Sequence, residues 1–184
     1  MEKRSVLFLL CASFLSLTYA QASNSKIKLL SQDEAGNAQC VTEWLNSHHN
    51  NVDHTLSNDF YTKGVEASQK GNWSLATKLF GESMIRYPTP QALQGYIDSE
   101  LRMLGQVRKR SNNTELFIDG DIKYAKGFYE SARAANSILK TLSGPEEKQL
   151  QQNIDCLVQY QETRAYKAAE CMPLQLYYST DMPN

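Results

Sequence analysis

The sequence predicts an all-α fold, and three observations carry that prediction. Apolar residues recur at helical spacing through most of the chain, as Leu93, Ile97 and Leu101 do. Helix start and stop signals, such as Thr89-Pro90, separate these stretches. No segment shows the alternation of apolar and polar residues that is typical of a half-buried strand.

The first 22 residues predict a secretory signal. Lys3 and Arg4 give a basic start, an apolar run follows over Val6–Leu17, and Ala20-Gln21-Ala22 fits a cleavage site. The apolar run is shorter than the roughly 20 residues that span a bilayer, so we expect cleavage rather than an anchor. The mature chain is expected to be exported, either periplasmic or secreted, without an integral membrane segment.

The charge of the mature chain argues against nucleic acid and anionic membrane as partners. Removal of residues 1–22 takes away Glu2, Lys3 and Arg4 and leaves 17 basic and 19 acidic side chains, a net charge of −2. Such a balance gives no basic footprint. The basic run 108–110 is expected to be solvated in a polar loop.

We divide the mature chain into a flexible N-terminal segment, residues 23–35, and a single helical domain, residues 36–184. Ala38–His48 is predicted to be a helix with Val41, Trp44 and Leu45 on one side. After a connector, Ser57 is expected to cap the following helix.

Residues 57–90 hold the most informative pattern in the chain. Small residues let two helices approach closely, and a neighbouring ring fills the space beside them. Gly71 can adopt the positive φ of a helix C-terminus, and Asn72 can cap the next helix. The positions that form the pattern are Gly64, Ala67, Gly71, Trp73, Ala76, Phe80 and Pro88.

This spacing resembles one tetratricopeptide (TPR) repeat, a helical hairpin of about 34 residues. Lys63 and Ser83 depart from the residue types that the family prefers. An unrelated antiparallel helix pair with similar packing is the alternative. The resemblance implies TPR-like antiparallel helical hairpins in a short solenoid, about six helices in all.

A degenerate second repeat is expected after the first. Its first helix begins at Thr89-Pro90, runs to Leu104 and stops at Gly105, with Asp98 where the family prefers a small residue. Residues 106–115 are predicted to form a polar loop. Helicity resumes near Asp121, and the spacing of Ala76, Phe80 and Ser83 is repeated by Ala125, Tyr129 and Ala132.

The last helix and the cysteines together predict a disulfide. Residues 145–172 contain no internal break, and an oxidising compartment favours one bond among the three mature cysteines. On a continuous helix Cys156 and Cys171 would lie about 22 Å apart, against the ~6 Å of a disulfide. We therefore expect Cys40 to pair with Cys171, with Cys156 as the second choice.

Signals for chemistry are few. His48, His49 and His54 are the weak candidates for a metal site, but adjacent histidines point apart and a site needs three or four converging ligands. No nucleophile elbow, phosphate loop or zinc-protease motif occurs in the sequence. We therefore expect neither an enzyme nor a bound cofactor.

The resemblance implies a concave binding face lined by the first helix of each hairpin. Tyrosine and arginine on such a face commonly carry interface energy, and the mixture suits an extended peptide or a protein protrusion. The residues that project onto this face are Asn58, Tyr61, Val65, Ser68, Gly95, Ser99 and Arg102.

Three classes of function remain open from the sequence. The first is an exported protein-binding module, such as an adaptor in a cell-envelope or secretion-system assembly. The second is an immunity-type inhibitor that neutralises a toxin enzyme in the periplasm by surface occlusion. The third, a small enzyme or metal carrier, depends on the three histidines.

Overall fold

The structure, a computed structural model, describes residues 27–48, 50, 54–110, 119–164 and 171–178. Within these ranges the chain is helical and contains no strand, which confirms the predicted all-α class. The helices are α1 (Gln32–Ala35), α2 (Ala38–His48), α3 (Thr55–Gln69), α4 (Trp73–Arg86), α5 (Pro90–Arg110), α6 (Asp119–Leu139), α7 (Gly144–Thr163) and α8 (Met172–Tyr178). The described residues thus form eight helices rather than about six, because two short helices were not predicted.

Helices α3 to α7 pack in chain order, each against the next. The direction of the chain alternates. Gln91 of α5 bonds to Thr141, just after α6, and Asp98 of α5 bonds to Tyr129 of α6. Residue numbers increase along α5 in the direction in which they decrease along α6, so the two helices are antiparallel. Asn136 of α6 bonds to Glu147 of α7, and α7 therefore runs in the same direction as α5.

Tight connections with defined caps join these helices. Gly71 has a φ of 68°, and the Asn72 side chain accepts a hydrogen bond from the Leu75 backbone N–H at 3.2 Å, as the sequence predicts. The Thr89 hydroxyl caps α5 in the same way, accepting from Ala92. At the start of α7 the Glu146 carboxylate accepts from the Ser143 backbone N–H at 2.7 Å.

The N-terminal segment is packed where the structure describes it. Residues 27–35 were expected to be flexible, but Leu30 is buried and its N–H donates to Ile85 O of α4. The indole N–H of Trp44 donates to Lys28 O at 2.7 Å. Helix α2 has the predicted bounds and buries Val41, Trp44 and Leu45 against the remainder of the core, chiefly beside α6.

Two predicted helix boundaries are wrong. Ser57 is not a cap, because α3 begins at Thr55 and the buried Ser57 hydroxyl bonds to Ser83 of α4. Gly105 does not end α5, which continues to Arg110 and so includes part of the predicted polar loop. The structural reason is that Gly105 is buried against α8, where the missing side chain leaves room for another backbone.

The predicted pairing of Cys40 is also wrong. Cys156 and Cys171 form a disulfide with a Cα–Cα distance of 5.6 Å, and Cys40 lies outside it. The prediction assumed a continuous helix, whereas α7 ends at Thr163 and Arg164 adopts the left-handed conformation, with a φ of 52°. The helix therefore does not extend to Cys171, and the separation of about 22 Å on a continuous helix does not apply.

One hydrophobic core extends from the N-terminal segment to α8. Its largest fully buried side chains come from α2, α4, α5, α6, α7 and α8: Tyr129, Phe128, Leu45, Met84, Leu93, Ile97, Leu101, Ile122, Leu150, Leu157 and Leu174. In the described ranges, no helix combines the length and the apolar character that crossing a membrane requires.

Candidate protein-binding face

Helices α3 to α7 form an array, and the Phe80 ring of α4 packs between its first and third helices, α3 and α5. A Cβ placed on Gly64 of α3 or on Gly95 of α5 would lie 2.8 Å from this ring, closer than side chains approach one another. The absence of both side chains therefore lets α3 and α5 pack directly on the ring of α4. The sequence predicted Gly64 and Phe80 in this role. Gly95, which was predicted to lie on the binding face, instead faces the Phe80 ring.

A hydrogen bond between Asp98 and Tyr129 joins the next pair of helices, α5 and α6. Asp98 lies 34 positions after Gly64, and its carboxylate accepts a hydrogen bond from the Tyr129 hydroxyl at 2.6 Å. Desolvation raises the pKa of Asp98 from 3.8 to about 6, although the Tyr129 hydrogen bond and the charge of Arg102 oppose the rise. Burial also raises the pKa of Tyr129 well above its ordinary value.

The predicted binding residues of α3 lie at different depths. Asn58 is exposed, whereas Tyr61 is half-buried with its ring 5.6 Å from that of Phe80. Val65 packs against the edge of the core, and the Ser68 hydroxyl donates to Val65 O at 2.7 Å. Asn58 and the outer part of Tyr61 are thus the groups that α3 offers to a partner.

The predicted residues of α5 divide in a similar way. Ser99 is 2% exposed and its hydroxyl donates to Gly95 O, so it faces the interior. Arg102 is half-buried, with its guanidinium 4.6 Å above the Trp73 ring of α4. This cation–π contact holds the arginine head over the start of α4.

A charge at the start of α7 acts on the Tyr61 phenol of α3. Burial raises the pKa of the Tyr61 phenol, and the Glu146 carboxylate adds to the rise through its negative charge. Glu146 is on the first turn of α7, beside the loop in which Thr141 O accepts from the Gln91 side chain of α5. The loop before α7 thus contacts α5, and the charge at the start of α7 acts on Tyr61 of α3.

The histidines proposed as weak metal candidates pack on aromatic rings. His48 stacks on Trp44 with ring centroids 5.0 Å apart, and His54 contacts Tyr87 edge-on at 4.0 Å. His49 lies outside the described residues. Among the residues that the structure does describe, no three potential ligands form a metal-binding group.

A polar contact that the sequence did not predict joins α1, α5 and α6. The Gln32 amide donates to the hydroxyls of Tyr96 and Tyr124, which lie 2.8 Å from each other. Burial raises the pKa of Tyr96. The partners are far apart in sequence, so no local pattern could have indicated them.

A cavity of about 300 Å³ opens between α6 and α7, and part of its polar lining is paired internally. The Asn136 amide donates to Glu147, and the Arg133 guanidinium donates to Gln151 at 3.0 Å. These groups therefore stabilise the helix pair and already have partners within the protein.

No family model, curated protein or solved structure matches this chain. A function must therefore be argued from the helices and the surfaces they present.

Proposed function

We propose that this chain is an exported protein-binding module that recognises a partner protein or peptide through a TPR-like helical surface, as an adaptor in an envelope or secretion-system assembly. The observation that carries the proposal is the Phe80 ring packed between Gly64 and Gly95. In a helical repeat each unit packs on its neighbours, and small residues let successive helices approach closely enough for such packing. The Asp98–Tyr129 contact at equivalent positions supports a degenerate second repeat.

The surface chemistry supports recognition of another chain. The Tyr61 ring packs beside that of Phe80 and leaves its hydroxyl to reach a partner, and the Arg102 guanidinium is held over the Trp73 ring with N–H donors that can reach a partner. Such side chains lose little conformational freedom on binding, which is why they commonly carry interface energy. Asn58 and Glu146 add polar and acidic groups nearby.

The disulfide supports export. Bonds such as Cys156–Cys171 form and persist in oxidising compartments. The predicted signal segment, residues 1–22, lies outside the described residues.

A specific observation also favours the alternative, an immunity-type inhibitor of a toxin enzyme. Helix α8 bridges the C-terminal parts of α5 and α7, where a long peptide would otherwise lie. The surface that remains is short and suits a protrusion of a globular enzyme.

The test is affinity capture from the native compartment with the wild-type chain and a Tyr61→Ala, Arg102→Ala variant. Loss of two anchoring side chains is expected to weaken partner capture about thirtyfold or more. The matched control is Lys63→Ala with Glu66→Ala, which changes exposed positions on another side of α3. Circular dichroism checks that each variant is folded.

The captured proteins also separate the two functions. Several envelope proteins would favour the adaptor, and one stoichiometric enzyme would favour the inhibitor. Equal capture by the wild-type chain and the Tyr61, Arg102 variant would contradict the proposed face.

A further inference from the structure

Helix α8 packs on the C-terminal part of α5 rather than along α7, and the surface of α5 that it contacts is called the seat. The seat includes Gly105, where an added Cβ would collide with the Tyr177 carbonyl group and would lie 3.0 Å from the Tyr177 carbonyl carbon. Because the obstacle is backbone, no rotamer change could relieve the collision. The contact therefore depends on glycine at this position.

Aromatic contacts hold the end of α8 in its seat. The Arg108 guanidinium of α5 lies 5.5 Å from the Tyr177 ring centroid and 4.8 Å from that of Tyr178. From the other side, the Tyr160 hydroxyl of α7 is 3.4 Å from the Tyr178 hydroxyl. Thus α8 bridges the C-terminal parts of two helices that run in the same direction.

The seat is continuous with the proposed binding face. Gly105 follows Arg102 by three residues, which places it one turn further along the same side of α5. A partner that contacts Arg102 and extends along α5 would therefore meet α8. Helix α8 covers a surface that the module could otherwise offer.

The disulfide attaches α8 at its beginning. Cys171 immediately precedes α8, and its bond to Cys156 closes a loop with a sequence separation of 15. Cys171 is buried, whereas Cys156 is half-buried, so Cys156 is the sulfur that a thiolate can reach. Attack there would release Cys171 as the leaving thiolate.

We propose that α8 is an intramolecular plug of the binding surface, which the Cys156–Cys171 disulfide holds in place and a dithiol releases. In the release step the dithiol gives two electrons and two protons, becomes a disulfide itself, and leaves Cys156 and Cys171 as thiols. The regulatory meaning of the plug rests on the proposed function, but its release can be measured without a partner.

Hydrogen exchange of the full-length folded protein, with and without dithiothreitol, tests the release. Closing a loop of this length shifts the equilibrium between docked and undocked α8 by about a hundredfold. The α8 amides are therefore expected to exchange about a hundredfold faster after reduction. Exchange in α3, α4 and α6 is expected to stay the same, because α8 rests chiefly on α5. A Cys156→Ser, Cys171→Ser variant is expected to match the reduced protein.

Two outcomes would overturn the proposal: unchanged exchange in α8 after reduction, or equally faster exchange in α3, α4 and α6. The first would mean that the disulfide does not hold α8, and the second that α8 is not separable from the core. Neither result depends on the capture experiment, so failure of the plug and failure of the proposed function are distinguishable.

A second variant tests the seat with the disulfide intact. Gly105→Ala is expected to speed exchange in α8 at least tenfold, because the new methyl group would displace the Tyr177 backbone. Gly81→Ala is the matched control, since its Cβ would meet the Tyr96 ring at an ordinary 3.6 Å. Equal α8 exchange in the two variants would refute the seat.

Discussion

At the scale of single residues, Asp98 both joins two helices and carries a buried carboxyl group with a raised pKa. Its carboxylate accepts the Tyr129 hydrogen bond between α5 and α6, and the charge of Arg102 stabilises its ionised form. Desolvation works against that form and dominates, so the pKa rises to about 6. The carboxyl group therefore joins two helices, but its ionisation in a buried place lowers the free energy of unfolding at pH values above about 6.

The pH dependence of stability is expected to show this cost. Since the folded state holds the Asp98 proton more tightly than the unfolded state, the free energy of unfolding falls as the pH rises from about 4 to about 6. The loss is up to about 3 kcal/mol. Asp98→Asn keeps an acceptor for Tyr129 and is expected to remove that part of the loss in urea unfolding measured at each pH.

The difference between the two pH profiles isolates Asp98, because the raised pKa values of Glu100 and Asp121 affect both proteins alike. Asp155→Asn, on an exposed part of α7, is the matched control. Parallel profiles for the wild type and Asp98→Asn would contradict the assigned pKa.

At the scale of helices, the separation of neighbours is set by glycines facing rings or backbone. Gly64 and Gly95 face the Phe80 ring, Gly105 faces α8, and a Cβ on Gly127 of α6 would lie 2.6 Å from Gly36 O. Each close approach removes apolar surface from water while leaving the helix with a residue of poor intrinsic propensity. The packing of the helices thus outweighs their local preferences.

Alanine substitutions should separate these two effects. Gly64→Ala and Gly95→Ala are each expected to lower the free energy of unfolding by about 1–3 kcal/mol, because the buried Phe80 ring would have to move. Gly81→Ala, with ordinary contact only, is expected to raise it by about 0.5–1 kcal/mol through helix propensity. Chemical denaturation measures all three, and stabilisation by Gly64→Ala would contradict the Phe80 contact.

At the scale of the whole molecule, the described helices share one core. Leu30 and α2 pack against the array at one side, and Leu174 of α8 is buried at another. A long repeat array can unfold in parts, because each repeat contacts only its neighbours. Here the N-terminal segment, α2 and the disulfide-bonded α8 add contacts between helices distant in sequence, so the parts are coupled in the oxidised protein.

The oxidised protein is therefore expected to unfold in one cooperative transition. Far-ultraviolet circular dichroism reports all the helices, whereas tryptophan fluorescence reports Trp44 of α2 and Trp73 of α4. The midpoints in urea are expected to coincide for the two signals. A separate transition at lower urea concentration would show that one part of the array unfolds alone.

Local signals predicted those parts of the fold that neighbouring residues settle. Helix α2 has the predicted bounds because Val41, Trp44 and Leu45 form a clear apolar face. The turn at Gly71-Asn72 was predicted because a positive φ favours glycine and a helix N-terminus favours a capping residue such as asparagine. The burial of Ser99 depends instead on how α5 packs against other helices, which its own neighbours in sequence do not specify.

The sequence by itself determined the helical class, the α3–α4 hairpin and its small-residue contact with Phe80, because helix periodicity, caps and glycine conformation are local properties. Only the tertiary structure decided the Cys156–Cys171 pairing, the course of α5 through Gly105 and the position of α8. Those features arise from contacts between distant segments: a glycine that usually ends a helix here accommodates another backbone, and a helix break brings two cysteines together.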